Sequence, residues 1–301
     1  MVARAWTSAR FGVPLPTGHA FPIGKYPAIR EAVIARGLIA RDAVLEPDRM
    51  ERWTLLQVHT HEYVAAMLYE GLSPAASRRL GFPWSPELAE RSLRTAQATV
   101  EAARDALDTG AGINLAGGTH HAFADHGEGY CCFNDVALAV RVLQREGRIG
   151  RTVVIDLDVH QGNGTARIFA DDPEVYTFSM HGARNFPFRK ERSRRDVELD
   201  DRTGDAEYLA LLDRNLDEVL DDARADLAFY LAGSDPYVGD RFGRLALSMD
   251  GLRARDRRVL AACGRRGLPV VLTMAGGYAR SLDDIAVIHA NSVEELLRSH
   301  G

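Results

Sequence analysis

The chain has 301 residues, 46% hydrophobic and 26% charged, an ordinary globular composition with ample material for a core. Its net charge of −5 comes from acidic and basic residues mixed throughout, which excludes the concentrated basic face of a direct nucleic-acid binder. No apolar stretch reaches membrane-spanning or signal-peptide form, and Cys131, Cys132 and Cys263 make no CxxC pair, so they read as reduced thiols in a cytoplasmic protein without a membrane partner.

The first quarter is the least regular part. Residues 11–25 are rich in proline and glycine and read as a loop carrying His19. Residues 26–40 have helical spacing, and residues 60–72 read as a second helix. His19, His59 and His61 are taken as capping or surface residues, not ligands. Ser85-Pro86-Glu87 is a helix start, with a capping hydroxyl, a proline suited to the first position and an acid favouring the dipole. That helix should run to Thr109 and stop at Gly110. Beyond it, strands are predicted at 113–116, 153–157, 175–180, 227–231 and 270–274. Helices are predicted at 134–146, 165–170, 206–223, 251–264 and 282–298. The densest basic run, Arg189 to Arg195, reads as a solvated loop able to steer an acidic partner. The alternation implies right-handed crossovers and a three-layer α/β/α fold with a mainly parallel central sheet, in one domain over residues 1–301.

The polar residues collect after the predicted strands, where an open α/β sheet binds its ligands. Asp156, Asp158 and His160 alternate, so an extended chain would point all three the same way. Buried together they are costly unless a cation meets them. Asp158, His160 and Asp235 make a three-ligand oxygen and nitrogen set with an open fourth position, the pattern of a catalytic zinc. Asp156 can fix the tautomer of a nearby histidine. His120 and His121 offer an acid and a base, and Tyr278 a donor to an oxyanion. Taken singly, a His-His pair is more often packing, Asp235 before Pro236 suits a plain turn, and Tyr278 suits a core. Four clusters reaching one rim favour the joint reading: metal-assisted hydrolysis of a carbonyl derivative, most simply an amide.

In these segments the chain resembles the histone deacetylase superfamily, whose open α/β fold is shared with arginases. The carriers are residues 117–122, 129–135, 155–165, 232–235 and 276–278, and the resemblance covers most of the chain. Residues 239–243 and 82–86 resemble the class IV branch and its bacterial relatives. The resemblance implies one zinc ion on Asp158, His160 and Asp235, base and acid functions on His121 and His120, and carbonyl polarisation by Tyr278. It also implies a potassium ion held by Asp156, Asp158, His160, Ser179 and Met180, partly through backbone oxygens. A substrate tunnel walled by Gly129, Tyr130 and Phe186 would suit the thin stem of lysine or another alkylamine.

Two departures stand out. Asn163 occupies the place where class I enzymes carry an aspartate beside the second histidine, which should lower the basicity of His121. Met274-Ala275 replaces part of the usual glycine run before Tyr278, changing the hinge of that tyrosine. The implied activity is zinc-dependent removal of acetyl or longer fatty acyl groups from lysine side chains of proteins. A small-molecule deacylase such as an acetylpolyamine amidohydrolase is the alternative. A non-catalytic acyl-lysine binding module is disfavoured, since it has no need of a complete zinc site.

Overall fold

The computed structural model describes residues 3–300; Met1, Val2 and Gly301, the ends of the expected 1–301 domain, lie outside the described residues. Strand β1 (Ala5–Trp6) leads to helix α1 (Lys25–Ala35), strand β2 (Val44–Leu45) and three short helices, α2 (Arg52–Leu55), α3 (His61–Ala65) and α4 (Pro74–Leu80). The long α5 (Pro86–Thr109) follows, then β3 (Ala111–Asn114), α6 (Asp135–Arg145), β4 (Thr152–Asp156) and α7 (Asn163–Ile168). The rest alternates β5 (Val175–Gly182), β6 (Arg195–Leu199), α8 (Asp205–Ala223), β7 (Leu227–Leu231), α9 (Met249–Arg265), β8 (Val270–Thr273) and α10 (Leu282–His300).

All eight strands join one sheet in the order β2-β1-β3-β8-β7-β4-β5-β6, and every pairing is parallel. Alternate residues of the central strands feed two separate cores, as the two-residue repeat of a strand requires. Val153, Ile155, Ala228, Tyr230, Val270 and Leu272 pack on the side of α1, α8, α9 and α10. Val154, Phe229, Leu231 and Val271 pack on the side of α5 and α6. The expected three-layer α/β/α architecture is therefore present. Helix starts follow local chemistry: Ser85 Oγ accepts the Leu88 N–H at 3.1 Å, and the Asn134 side chain accepts the Ala137 N–H at 3.0 Å.

Several expectations need correction. The helix expected over 60–72 is broken: after α3 the chain widens into a π turn over Ala66–Glu70, closed by Gly71 N–H on Ala66 O. The Trp84 indole donates to the Met67 carbonyl at 2.9 Å, drawing that turn away from regular α spacing. The run 189–195 is a loop with Arg189, Arg192 and Arg194 exposed, as expected, except that it is tied down at several points and its last residue enters a strand. Lys190 Nζ donates to the carbonyls of Asn185 and Pro187, Gln161 brackets Glu191, and Arg195 opens β6 beside β5. β1 and β2 have two residues each, too short to carry a sequence period.

His61 is exposed, as expected, but His59 is buried. Its Nδ1 donates to Phe123 O at 3.0 Å while Nε2 accepts the Asn134 N–H at 3.1 Å, tying the 123–134 segment to the start of α6. Burial depresses its pKa to about 4. The unfolded chain thus binds this proton first, so the contribution is full above the ordinary histidine value of about 6.5 and drains away as pH falls toward 4. Between pH 7 and 4, the native chain should lose about 3 kcal/mol more stability than the His59→Gln variant. Denaturant titrations at a series of pH values check this, and identical profiles would disprove it.

Candidate active site

Four neighbouring strands deliver the polar clusters to one edge. Asn114 of β3 is level with Thr273 of β8, Thr273 with Leu231 of β7, and Leu231 with Asp156 of β4. The chain therefore leaves all four strands on one line, and the segments after them meet.

After β3, Gly117 and Gly118 take left-handed φ values of 74° and 73°, a turn open to glycine and strained for other residues. The buried Asp135 fixes it, accepting the N–H groups of Gly118 at 2.9 Å and Thr119 at 2.8 Å. This turn presents His120 and His121 with ring centroids 4.1 Å apart. His120 Nδ1 meets Asp156 Oδ2 at 2.7 Å, and His121 Nδ1 meets Asn163 Oδ1 at 2.7 Å.

After β4 the strand ends at Asp156 and the chain bends, so the three alternate residues do not stay side by side. Asp156 aims at His120, whereas Asp158 and His160 face Asp235 from the β7 exit. Donor atoms of Asp158, His160 and Asp235 all lie within 4.8 Å of one another, and all three residues are buried. Asp158 Oδ2 accepts the Gly276 N–H at 2.6 Å, and Asp235 Oδ1 accepts the Val159 N–H at 2.9 Å. His160 Nδ1 stands 2.9 Å from Asp158 Oδ1 and 3.3 Å from Asp235 Oδ2. Asp235 Oδ2 has no hydrogen-bond partner. A buried carboxylate oxygen without a donor, turned toward a second carboxylate and an imidazole nitrogen, fits a divalent cation.

The electrostatics agree. Burial and the Asp158 charge push Asp235 up to about 6. Burial opposes charge on His160, but Asp158 and Asp235 outweigh it and raise that ring to about 10. The two carboxylates thus draw positive charge to this point, here a proton on the His160 ring. The paired histidines diverge. Burial opposes a charge on His120 too, yet Asp156 and Asp158 lift it to about 9. Burial, then the neighbouring His120 and His160, hold His121 well below the usual range. Its low basicity thus comes mainly from burial; the bond to Asn163 works in the other direction.

A cleft of about 440 Å³ reaches this site from the surface. Gly129, Tyr130 and Phe186, the expected tunnel residues, all line it, and His121, His160 and Tyr278 are reached at its inner end. The Phe186 ring meets His121 edge-on at 5.0 Å. Ser179 and Met180 are buried on β5, with Ser179 level with Asp156 of β4.

Residues given no site role from the sequence complete the frame. Arg255 of α9, wholly buried and paired with Asp256, donates through Nη1 to Gly233 O at 2.7 Å and Leu157 O at 3.2 Å. It thereby binds together the β4 and β7 exits. Asp240 accepts the Tyr278 N–H at 2.6 Å and also those of Phe242 and Gly243. Lys25 Nζ donates to Ala275 O at 3.2 Å and Gly277 O at 3.4 Å, securing the turn in which Ala275 sits at φ 52°. Burial keeps the Tyr278 hydroxyl protonated far above neutrality.

A family profile described as a histone deacetylase domain matches residues 19–295. The chain belongs to the histone deacetylase family. It is 43% identical over 277 residues to an uncharacterized protein of Picosynechococcus, covering 92% of each. It is 31% identical over 290 residues to histone deacetylase 2 of Arabidopsis thaliana, covering 93% of this chain and 74% of that one. In three dimensions it is similar to an HDAC homolog from Aquifex aeolicus, with a TM-score of 0.82 at 21% identity over 97% of this chain and 83% of that one. That likeness speaks to the fold, which is the expected deacetylase-like arrangement. Membership assigns the chain to deacetylases and amidohydrolases, hydrolases of acylated substrates. No described helix is long and apolar enough to cross a membrane.

Gly276 shows how closely the triad is fitted. A methyl there would stand 1.9 Å from Asp235 Oδ2 and 2.5 Å from Asp158 Oδ2. Gly276→Ala is expected to weaken binding of a divalent cation at the triad by roughly tenfold or more, the penalty of displacing groups around a ligand. Calorimetric titration of chelator-stripped protein measures it, and an unchanged affinity would place the metal elsewhere.

Proposed function

We propose that the chain is a zinc-dependent amidohydrolase, one catalytic domain over residues 1–301, that removes acetyl or longer fatty acyl groups from lysine side chains of proteins. The observation that carries this reading is the junction of an aromatic-walled cleft with the buried triad of Asp158, His160 and Asp235. A slot of that kind receives a thin apolar stem and brings the carbonyl at its tip to the polar groups.

In this reading Asp158, His160 and Asp235 hold one zinc ion, which when bound supplies Lewis acidity to polarise the scissile carbonyl and lower the pKa of water. His121 gives its Nδ1 proton to the bond with Asn163, so Nε2 stays free to accept a proton from the attacking water. His120, charged through its pair with Asp156, is the acid for the departing amine. Tyr278 donates its hydroxyl hydrogen to the oxygen that gains charge. Gly129, Tyr130 and Phe186 flank the stem and keep water from it.

Potassium belongs to the same proposal, on Asp156, Asp158, His160, Ser179 and Met180. Among the described residues the carbonyls of Asp158 and His160 accept no backbone N–H, leaving oxygens for such an ion. Class IV kinship rests on residues 82–86 and 239–243, and a cytoplasmic location on three buried, free cysteines.

Metal analysis should find about one zinc per chain, the stoichiometry of a single three-ligand site. A two-manganese centre would replace the deacylase reading with arginase-like chemistry. Tyr278→Phe should lower kcat on acetyl-lysine peptides about a hundredfold with metal content intact, as loss of one oxyanion donor does. An unchanged kcat would make that tyrosine structural. Acetyl-, octanoyl- and myristoyl-lysine peptides assayed beside acetylpolyamines separate the substrate classes. Binding of acyl peptides without cleavage would leave the binding-module reading in its place.

A further inference from the structure

The open end of the cleft carries chemistry that hydrolysis does not use. Arg78 and Arg79 on α4, Arg184 after β5 and Arg244 beyond β7 all line it, and all four are exposed. No aspartate or glutamate is among the cleft's lining side chains. Arg78 and Arg79 sit in the last turn of α4 and enter no ion pair among the described residues. Arg244 holds Asp201 with both ends of its fork, Nε to Oδ1 at 2.9 Å and Nη2 to Oδ2 at 2.7 Å, while Arg184 reaches the same carboxylate at 3.7 Å. One carboxylate between two guanidinium groups leaves positive charge unmatched on that side. Next to Gly129, Glu128 is 3.6 Å from His126, which is itself 2.7 Å from Asp125. Phe188, 90% exposed, adds an apolar lip beside them.

These cations surround the mouth, whereas the inner end is formed by His121, His160 and Tyr278. They meet whatever projects from the cleft, not the acyl group within it. Resting on the deacylase reading above, we propose that this arginine rim selects acyl-lysine segments flanked by aspartate or glutamate. The guanidinium fork matches a carboxylate in two directions; Arg78 and Arg79 offer two such forks from α4, while Arg184 and Arg244 share Asp201. An acidic peptide whose lysine enters the slot lays its flanks across them. An acylated polyamine, carrying its own positive charge, meets repulsion at the same place. Four charges around a concave opening also differ from the long basic stripe that tracks a nucleic-acid backbone.

The test compares one acetyl-lysine peptide with two glutamates on each side against the same peptide with two lysines on each side. Two or three exposed pairs favour the acidic peptide by about tenfold in kcat/KM at low ionic strength. That ratio should shrink as salt is added, since exposed pairs are screened. The double substitution Arg78→Glu with Arg79→Glu should bring the ratio to about one or reverse it. Reading a ratio within each variant separates lost preference from lost folding. If neither peptide is hydrolysed, the deacylase reading fails, and anisotropy of the same labelled peptides judges the rim by itself. Tighter binding of the glutamate peptide to the native chain than to the double variant then supports the rim. Equal ratios in native and variant chains, a preference for lysine flanks, or tighter capture of a single-stranded oligonucleotide would each overturn the proposal.

Discussion

Two carboxylates, Asp158 and Asp235, are held together away from water, and the rest of the molecule is arranged around keeping them so. Burying like charges side by side is costly, and their mutual repulsion would part them if the backbone were free to move. It is not free. The N–H groups of Gly276, Val159 and His160 each grip one of the carboxylate oxygens. Those N–H groups belong to segments leaving β8 and β4, and parallel pairing fixes these strands in line. Arg255 then fastens the exits of β4 and β7 from below. The sheet, in this sense, is the scaffold that makes a repulsive pair permanent.

The two adjacent histidines show how partners, and not residue type, set chemical roles. Both rings are buried and both offer Nδ1 to an oxygen at 2.7 Å. One oxygen is charged, on Asp156, and the other is a neutral amide, on Asn163. The first ring's pKa is raised to about 9, and the second's is held well below the usual histidine range. Tyr278 completes the set only because three unrelated groups restrain its turn: Lys25 from α1, Asp240 from the β7–α9 connection, and the adjoining Arg241, whose Nε donates to Tyr278 O at 2.9 Å.

Much of this was legible in the sequence because strand-end motifs join recognisable backbone patterns to unusual polar residues. His120, His121, Asp158, His160, Asp235 and Tyr278 each follow a β-branched or apolar run, and parallel strands bring such positions to one edge. The direction of Asp156 was harder to read, since it depends on where β4 stops. Arg255 and Lys25 left no mark because the carbonyls they hold are supplied by distant segments. β6 was hidden for another reason. As an edge strand it reads Arg-Asp-Val-Glu-Leu, with charges that protect an open edge and imitate a loop. β1 and β2 are too brief for any pattern to form.

The aligned exits of β3, β8, β7 and β4 separate two properties that many sites confound. The reactive groups are fixed by the interior of the sheet, where a shift of one residue would misplace all of them. The opening is rimmed by Arg78 and Arg79 of α4, Arg184 after β5 and Arg244 beyond β7, whose side chains take no part in that alignment. Substitutions at those four arginines can therefore change what the cleft meets at its mouth while the groups at its inner end keep their places.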